Sequence, residues 1–471
     1  MIIKPINNFF NFSGKSDLLA IIKSDQTFTY ENLFERAAQL SFSFLDKGIN
    51  KGDYVPMFFE NSLSFIQTTI ALWYLGAVPV PLNTKILNEE IYTIIDDYDF
   101  KFLITDKELS LNITTEELKI ICFDKLLDHS YKTNAIEFPA LNDEAVVIFT
   151  SGSTARPKGV MHTFTSLINN IENGNQILNH NVNDRWLASL PFYHIGGFQI
   201  ICRSLFYGCS IIIPKSLQTI HLADAILNHN PTHISLVSTQ LERLMNQDVT
   251  PNELLKVSLI GGGFINDDLI FESDKLGWKP FRVYGSSETA SMVTAISPDE
   301  IKNKPQSAGK TFNNVEIKIS SESEILIKSN SLFSKYLNDE KETSEKIKNG
   351  FYHSGDLGFV DDDGYLFIEA RINDLIVTGG ENVNPIEVEK TLLEFPFIKE
   401  ACVFSKPDKT WGQIVVAAIV VNNSSFIETS IKEMLKQKLA GYKIPKKFFF
   451  VDKLPRTSLG KLEREKIRKK F

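Results

Sequence analysis

The sequence has 471 residues, of which 43% are hydrophobic and 23% are charged, and its net charge is −8. This length exceeds that of one ordinary domain and predicts roughly two to four compact units. The acidic balance argues against broad electrostatic binding of nucleic acid. The sequence contains no run of about 18 apolar residues, so we expect no membrane span.

In the first half of the chain, short apolar runs alternate with amphipathic segments. The spacing predicts helices at 30–47 and 62–75. The apolar runs predict buried strands at 54–59, 77–81, 102–105, 120–123, 145–149, 210–214, 233–237 and 257–260. Such alternation indicates an α/β protein built mainly on parallel sheets.

The pattern changes near residue 307 to strict alternation of polar and apolar residues. This alternation at 316–319 and 324–328 predicts a partly exposed antiparallel sheet or small barrel. The last hundred residues predict two helices and two strands, at 387–395, 399–405, 415–421 and 430–439. We therefore expect a large N-terminal domain of residues 1–372, with a β-rich subdomain, and a small α+β domain of residues 373–471.

The four cysteines form no CxxC pair and accompany no histidine cluster, so we expect them to be reduced and to hold no structural metal. The N-terminus lacks the long apolar stretch and the small-residue cleavage site of a signal peptide. These features favour a cytoplasmic protein. The sequence leaves a homo-oligomer open.

A loop rich in hydroxyl groups and glycine follows the predicted strand 145–149. It reads Thr-Ser-Gly-Ser-Thr-Ala-Arg-Pro-Lys-Gly and spans residues 150–159. Glycine lets backbone N–H groups approach an anion, hydroxyls donate hydrogen bonds to phosphate oxygens, and Lys158 adds a positive charge. A polar surface turn is the alternative for this loop by itself, and the Walker pattern GxxxxGK[ST] is absent.

The loop resembles the phosphate-binding signature of the adenylate-forming superfamily, which includes acyl-CoA synthetases, luciferases and peptide-synthetase adenylation domains. The resemblance implies an AMP-forming ligase that uses ATP, Mg²⁺ and, as co-substrate, coenzyme A. Ala155 stands where family members usually carry glycine. The loop residues that would bind phosphate are Thr150, Ser151, Gly152, Ser153, Thr154 and Lys158.

A second segment, residues 284–290, resembles the family's adenine and magnesium motif. The resemblance assigns Tyr284 to stacking on adenine, Glu288 to Mg²⁺ and Thr289 to the α-phosphate in catalysis. A carboxylate is a hard ligand suited to Mg²⁺, although a lone Glu288 is more often a carboxylate at a helix start. Gly261 and Gly262 resemble the turn that lines the adenine and acyl pocket.

The remaining motifs occur in family order toward the C-terminus. By resemblance, Asp356 binds the ribose hydroxyls, Arg371 contacts ribose and phosphate, and Asn373 is the hinge between domains. Gly379 and Gly380 match the loop that enters the active site for thioester formation. Lys461 matches the catalytic lysine that stabilises charge during adenylation, although by itself it would belong to a solvated basic helix. Ala370 replaces the glycine that usually precedes the hinge arginine.

Two further segments, 190–208 and 234–244, resemble the 2-succinylbenzoate–CoA ligases of menaquinone synthesis within this superfamily. Arg203 lies in an otherwise apolar stretch, and a buried arginine requires an anionic partner. A dicarboxylate would supply one through its second carboxylate, whereas a structural ion pair is the alternative. The resemblance implies that the acid is bound by His194, Arg203, Ser238, Gly262 and Gly285, with His194 also in a catalytic role.

Other functions stay open at this point. The first alternative is an aryl- or acyl-CoA ligase for another carboxylic acid, and the second is an adenylation domain that loads a carrier protein. The third is a regulatory nucleotide-binding protein with an inactive site. The presence of all the charged motif residues argues against this alternative: Lys158, Glu288, Asp356, Arg371 and Lys461.

Overall fold

The structure of the protein is a computed structural model. It describes residues 9, 15–106, 118–126, 139–150, 157–263, 265–422, 428–457, 460 and 462–471, without the side chains of residues 428 and 429. The chain divides into two compact units. The first unit comprises Met1–Glu316 with Lys328–Tyr352, and the second comprises Ile317–Ile327 with His353–Phe471.

The strands of the described residues are numbered in chain order. They are β1 Leu19–Lys23, β2 Gln26–Thr29, β3 Tyr54–Phe58, β4 Val78–Pro81, β5 Phe102–Thr105, β6 Lys119–Cys122, β7 Glu144–Thr150, β8 Lys158–Thr163, β9 Arg185–Leu187, β10 Ser210–Ile212, β11 His233–Val237, β12 Val257–Gly261, β13 Pro280–Ser286, β14 Ser291–Ile296, β15 Lys310–Thr311, β16 Val315–Ile319, β17 Glu324–Ser329, β18 Lys335–Tyr336, β19 Ile347–Lys348, β20 Phe351–Val360, β21 Leu366–Arg371, β22 Ile376–Thr378, β23 Glu381–Val383, β24 Ile398–Asp408, β25 Gly412–Val421 and β26 Lys447–Phe450.

The α-helices are numbered in the same way, and short 3₁₀ turns join some of the elements. The helices are α1 Tyr30–Asp46, α2 Leu63–Leu75, α3 Asn88–Asp97, α4 Phe164–Leu178, α5 Ile195–Tyr207, α6 Thr219–His229, α7 Ser238–Met245, α8 Asp267–Lys275, α9 Pro298–Asn303, α10 Glu340–Lys346, α11 Pro385–Leu393, α12 Glu428–Lys436 and α13 Arg464–Lys470. The 3₁₀ turns are Phe123–Lys125, Ser287–Thr289, Ile372–Asp374 and Gly441–Lys443.

Three sheets lie in the first unit. The largest has the order β15-β14-β13-β12-β11-β9-β10-β1-β2, and its central strands from β13 to β1 are parallel. The second sheet, β4-β3-β5-β6, is parallel throughout. The third pairs β7, β8 and β18 in antiparallel register. The predicted α/β class with mainly parallel sheets is confirmed.

Sequence signals explain where several elements begin and end. Helix α1 begins after Thr29, whose hydroxyl accepts a hydrogen bond from the backbone N–H of Asn32 at 3.2 Å, and this contact caps the helix. Helix α2 follows Ser62 in the same way and ends at Gly76, whose φ of 68° a residue without Cβ adopts readily. These short-range rules account for the agreement with the predicted helices.

A four-stranded path, β23-β22-β25-β24, forms the main sheet of the second unit, and β26 pairs with β25. Helices α11 and α12 cover one face through a buried core that includes Val388, Leu392, Val403, Val415 and Ile431. A further sheet has the order β16-β17-β20-β19, with β21 paired antiparallel to β20. These strands include the antiparallel segments predicted after residue 307.

The compact second unit does not begin at the predicted boundary between residues 372 and 373. Strand β21 and β20 from His353 onward are grouped with the C-terminal residues. Asn384 donates a side-chain hydrogen bond to the carbonyl of Glu369 at 2.7 Å, and α11 packs near β21. The boundary between residues 372 and 373 therefore stays a prediction, and it concerns which segment of the chain moves as the C-terminal domain.

Two predictions about composition can be compared with the structure. The cysteines are free thiols; Cys202, Cys209 and Cys402 are buried and Cys122 is partly exposed. Within the described part of the chain, no helix is both long and apolar enough to cross a membrane.

Candidate functional site

Four adjacent parallel strands of the largest sheet place four of the five predicted acid-binding residues, all except Arg203, at one edge. Strands β9, β11, β12 and β13 are neighbours, so their carboxyl ends meet there. Ser238 follows β11 directly, Gly262 follows β12, and Gly285 lies near the end of β13. The chain after β9 leads within seven residues to His194. The crevice outside such an edge is where open α/β sheets bind ligands.

The segment before His194 is held by Asn61. The side-chain amide of Asn61 donates hydrogen bonds to the carbonyls of Ala188 and Leu190, at 3.2 and 2.8 Å, and accepts one from the N–H of Phe192 at 2.8 Å. His194 is partly buried at the start of α5. Burial and, to a smaller degree, the charge of Lys85 lower the pKa of His194 to about 4. The imidazole is therefore neutral near pH 7, which suits packing against a substrate.

The turn that follows β13 brings Glu288 and Thr289 to the same edge. Thr289 is fully buried, and its hydroxyl accepts a hydrogen bond from the N–H of Ser286 at 2.9 Å. The same hydroxyl lies 2.6 Å from the carbonyl of Ser291. Ala290 then adopts a left-handed conformation with φ of 55°. These hydrogen bonds join residues of the same turn and hold Thr289, the predicted α-phosphate contact, in a fixed position.

Buried polar side chains from outside the turn fix its backbone. Asn170 donates to the carbonyls of Thr289 and Met292 at 3.1 and 2.9 Å, and Gln199 donates to the carbonyl of Ala290 at 2.9 Å. His162 lies 2.7 Å from the carbonyl of Ser287 through Nε2. Because a carbonyl only accepts, Nε2 carries the proton. Burial lowers the pKa of His162 to about 4, so this neutral form persists near pH 7.

Lys158, the predicted phosphate-binding lysine, begins β8 opposite Thr150 at the end of β7. Its Nζ lies 2.6 Å from Oε1 of Glu342 and 5.7 Å from the centre of the Tyr336 ring. The Tyr336 hydroxyl donates to Oε1 of Glu288 at 2.9 Å. The structure thus brings the lysine of the loop motif and the predicted magnesium carboxylate to one aromatic side chain. Four other predicted loop residues lie outside the described residues: Ser151, Gly152, Ser153 and Thr154.

The surroundings of Glu288 fit a magnesium ion that brings its own ligands. Burial and then the Glu288 charge raise the pKa of Tyr336 above its usual value, so the phenol stays protonated and donates to Glu288. Within the described ranges, no group of three or more His, Cys, Asp or Glu side chains could form a metal cage. Mg²⁺ typically takes one or two carboxylates and fills its octahedron with phosphate oxygens and water. Glu288 suits that single-carboxylate role.

Arg203 lies about two and a half helical turns beyond His194 on α5 and is only 1% exposed. Its Nη2 donates to Oδ1 of Asn170 at 3.2 Å, and its guanidinium lies 5.7 Å from the centre of the Trp186 ring. Among the residues that the structure describes, no carboxylate pairs with Arg203 and its Nε has no hydrogen-bond partner. Burial lowers the pKa of Arg203 to about 10, so the group is charged near neutral pH.

In the second unit, the predicted ribose contacts lie beside each other. Asp356 on β20 pairs in register with Arg371 on β21, and Nε of Arg371 donates to Oδ1 of Asp356 at 2.8 Å. Asp356 is 5% exposed, and its backbone N–H donates to the hydroxyl of Ser354 at 3.0 Å. The N–H of Gly355 donates to Glu324 at 3.0 Å. The carboxylate is therefore held in one orientation by its neighbours.

The other predicted residues of the second unit follow Arg371. Asn373 lies in a 3₁₀ turn, and Gly379 with Gly380 forms the two-residue turn between β22 and β23. Their φ values of 60° and 86° match the turn type that two-residue hairpins favour. Lys461 lies outside the described residues. Directly before Lys461 in the sequence, the carbonyl of Gly460 accepts a hydrogen bond from Nη1 of Arg456 at 2.8 Å.

Sequence reasoning missed several residues of the site. These are His162, Asn170, Gln199, Tyr336 and Glu342. Glu342 reaches Lys158 across 184 positions of sequence, and Asn170 reaches Thr289 across 119. No local motif signals such distant pairs, although polar residues within the apolar stripe of α4 could have drawn attention to Asn170.

The AMP-binding enzyme family matches residues 11–337, and the AMP-binding enzyme C-terminal domain matches residues 387–461. The chain belongs to the AMP-binding enzyme family. The matches to the family include both the strand edge with Glu288 and Thr289 and most of the second unit.

Relatives within this family extend over nearly the whole chain. The 2-succinylbenzoate–CoA ligase of Bacillus subtilis (strain 168) is 32% identical over 460 residues, which cover 96% of this chain and 94% of the relative. A solved structure of o-succinylbenzoate CoA synthetase from Bacillus subtilis, in complex with the acyl-adenylate intermediate OSB-AMP, has a TM-score of 0.91 at 31% identity. That match covers 99% of this chain and 98% of the other. The same enzyme in complex with ATP and magnesium ion has a TM-score of 0.90, 31% identity and coverage of 98% of each chain.

Proposed function

We propose that this protein activates 2-succinylbenzoate with ATP and transfers the acyl group to coenzyme A, a reaction of menaquinone synthesis. One observation carries the proposal: His194, Ser238, Gly262 and Gly285 lie at one edge of the sheet, beside the Glu288–Thr289 turn. Relatedness over nearly the full chain to 2-succinylbenzoate–CoA ligases supports this choice of acid.

In the first step, a carboxylate oxygen of the acid attacks the α-phosphorus of ATP, and the bond to pyrophosphate breaks. Under this proposal Thr289 contacts the α-phosphate, and Lys158 with the loop residues Thr150 to Thr154 holds the leaving phosphates. Mg²⁺, when bound near Glu288, would neutralise phosphate charge. The rigid turn supports alignment of the reacting groups, since a backbone that is already fixed needs no rearrangement during the step.

Recognition of the acid would use both of its charged ends. Arg203 is a buried cation without a carboxylate partner among the described residues, and a buried unpaired charge is costly. The second carboxylate of a dicarboxylic acid would compensate it. His194, neutral near pH 7, would pack against the aromatic ring, and Ser238 with Gly262 and Gly285 would line the remainder of the acid site.

In the second step, the thiol of coenzyme A attacks the acyl carbonyl, and AMP leaves with the electrons of the broken C–O bond. We propose that Asp356 and Arg371 hold the ribose and that Tyr284 stacks on adenine, with Gly261 nearby. Between the two steps, residues 373–471 would rotate about Asn373. This rotation would move Lys461 out of the active site and bring the Gly379–Gly380 turn into it. Such exchange is a hinge transition between discrete states.

The proposal also includes the setting in which the protein works. Its partners would be the small molecules 2-succinylbenzoate, ATP and coenzyme A, and no nucleic acid. The proposed location is the cytoplasm, where ATP and coenzyme A are available. A homo-oligomer is compatible with this chemistry.

A panel of acids tests the function. The purified protein is mixed with ATP, Mg²⁺ and coenzyme A, and AMP formation is measured with 2-succinylbenzoate, benzoate and a medium-chain fatty acid. We expect AMP formation that depends on both coenzyme A and 2-succinylbenzoate. Faster turnover of benzoate or of the fatty acid would instead indicate a ligase for another acid. Pyrophosphate release without any use of coenzyme A would indicate a carrier-protein loading domain.

A further inference from the structure

Lys158 is already paired with an anion that belongs to the protein. Its Nζ lies 2.6 Å from Oε1 of Glu342, and each side chain is 22% exposed. The same Nζ lies over the face of the Tyr336 ring, 5.7 Å from the centre of the ring. The lysine that is proposed to hold the phosphates therefore has a carboxylate in close contact.

Local hydrogen bonds fix the backbone that carries Glu342. The N–H of Glu342 donates to Oδ1 of Asp339 at 2.9 Å at the start of α10. The Thr343 hydroxyl donates to the carbonyl of Asp339 at 2.7 Å and accepts from the N–H of Tyr336 at 2.9 Å. None of these contacts uses the Glu342 carboxylate. The side chain can therefore leave Lys158 by rotation alone, while α10 stays in place.

A carboxylate and a phosphate compete for the same ammonium group. Both present anionic oxygens, and their like charges repel when both approach one cation. A second carboxylate, Glu288, is linked to the same Tyr336 through its hydroxyl at 2.9 Å. A polyphosphate that arrives at Lys158 would meet two negative groups: Glu288, which is proposed to lie beside Mg²⁺, and Glu342, which is paired with Lys158.

We infer that Glu342 is a built-in competitor of the nucleotide phosphates: it occupies Lys158 in the free protein and gives way to the pyrophosphate end of ATP. The inference rests on the proposed role of Lys158 as a phosphate contact. After the bond between the α- and β-phosphates of ATP breaks, Glu342 returns to Lys158. Its return promotes release of pyrophosphate. AMP, whose single phosphate is proposed to lie at Thr289, is not affected by this competition.

Equilibrium binding of ATP, pyrophosphate and AMP, each with Mg²⁺ and without acid, tests the inference in the full-length protein. Glu342→Gln keeps the shape of the side chain and removes its charge. We expect the Kd values for ATP and pyrophosphate to fall about three- to tenfold, as removal of one partly exposed charge allows, with the Kd for AMP unchanged. Glu345→Gln is the matched control, since Glu345 lies on the same helix and makes only a surface pair with Lys341 at 4.0 Å.

Lys158→Met separates failure of the inference from failure of the proposed function. If Lys158→Met binds ATP and pyrophosphate as the unaltered protein does, Lys158 does not hold phosphates and that part of the proposed function is wrong. A second outcome is that Lys158→Met weakens the binding of ATP and pyrophosphate, while Glu342→Gln leaves their binding unchanged or weakens it. That outcome would overturn the competition and leave the proposed function intact. Equal strengthening of AMP by Glu342→Gln would also overturn the competition. Thermal unfolding of each variant checks that the fold is intact.

Discussion

The guanidinium of Arg203 and the side-chain amide of Asn170 share a buried hydrogen bond, 3.2 Å from Nη2 to Oδ1. Because the amide oxygen of Asn170 is held by Arg203, its nitrogen points away, toward the carbonyls of Thr289 and Met292. One side chain therefore connects the arginine proposed to bind the acid with the threonine proposed to contact the α-phosphate. Substitution of Arg203 and substitution of Asn170 therefore ask which of the two functions, recognition of the acid or placement of the Thr289 turn, each residue serves.

Arg203 is expected to recognise the second carboxylate of the substrate. We predict that Arg203→Ala raises the KM for 2-succinylbenzoate by tenfold or more, about 1.4 kcal/mol of binding, with the KM for ATP unchanged. Steady-state kinetics measure both constants. Arg243→Ala, at an exposed position of α7, is the control and should behave as the unaltered protein. An unchanged KM for 2-succinylbenzoate would show that Arg203 serves only to hold Asn170.

Asn170 is expected to act through the Thr289 turn and not through the acid. Removal of its amide in Asn170→Ala leaves two buried carbonyls without a donor, which costs about 1–3 kcal/mol for each group. We predict that kcat falls about tenfold or more with every accepted acid, while the KM for 2-succinylbenzoate stays within about twofold. Kinetics with two acids and thermal unfolding measure these effects. A change confined to the KM of one acid would contradict this role.

The fold and the site differ in how far the sequence reveals them. Strands such as His233–Val237 and helices such as Tyr30–Asp46 follow from apolar runs and from caps such as Thr29, which act over a few residues. The residues of the motifs were predicted in another way, from the resemblance of short contiguous segments to the adenylate-forming superfamily. Tyr336 and Glu342 were not predicted, because they meet Glu288 and Lys158 across 48 and 184 positions. Only the packed sheets determine such contacts, and one sequence carries no local sign of them.

Gly285 has no room for a side chain. A Cβ at this position would lie 1.9 Å from the carbonyl oxygen of Ser291 and 2.6 Å from its carbon, and these backbone atoms can move away only if the strand that carries them also moves. We predict that Gly285→Ala separates β13 from β14, destabilises the protein by about 1–3 kcal/mol and abolishes adenylate formation. Thermal unfolding and pyrophosphate release measure the two effects. Gly441→Ala is the control, because no described atom lies within 4 Å of its added Cβ and its φ is not positive.

Acid should weaken the fold through buried His162. Its folded-state pKa of about 4 is lower than the value of about 6.5 expected in the unfolded chain, so the unfolded chain binds more protons between these values. Stability from this residue is fully present above about pH 6.5 and is lost as the pH falls toward 4. Between pH 7 and pH 5 the loss is about 2 kcal/mol.

Denaturant unfolding at the two pH values measures this contribution. His162→Gln removes the titrating group. Between pH 7 and pH 5, the free energy of unfolding of this variant should therefore decrease by about 2 kcal/mol less than that of the unaltered protein. The other histidines remain in both proteins and cancel in the comparison. Identical pH-dependent losses in the two proteins would mean that His162 does not titrate with folding.

Lys461 is expected to serve the first half-reaction alone. We predict that Lys461→Ala slows pyrophosphate release at least about 100-fold, because a cation at the reacting centre is lost. The same variant should convert pre-made acyl-adenylate and coenzyme A to thioester at a rate close to that of the unaltered protein, since the Gly379–Gly380 turn is proposed to serve that step. Rapid-quench assays of the two halves measure these rates.

Lys466→Ala provides the control for charge in the same region of the sequence. Lys466 lies on α13 and pairs with Glu463 at 2.8 Å, with 69% of its side chain exposed, so both half-reactions should keep their rates. Equal loss of both halves in Lys461→Ala would contradict the proposed exchange, because a lysine needed throughout could not leave the site between the steps. Loss of the thioester step alone would reverse the assignment of Lys461 and the glycine turn.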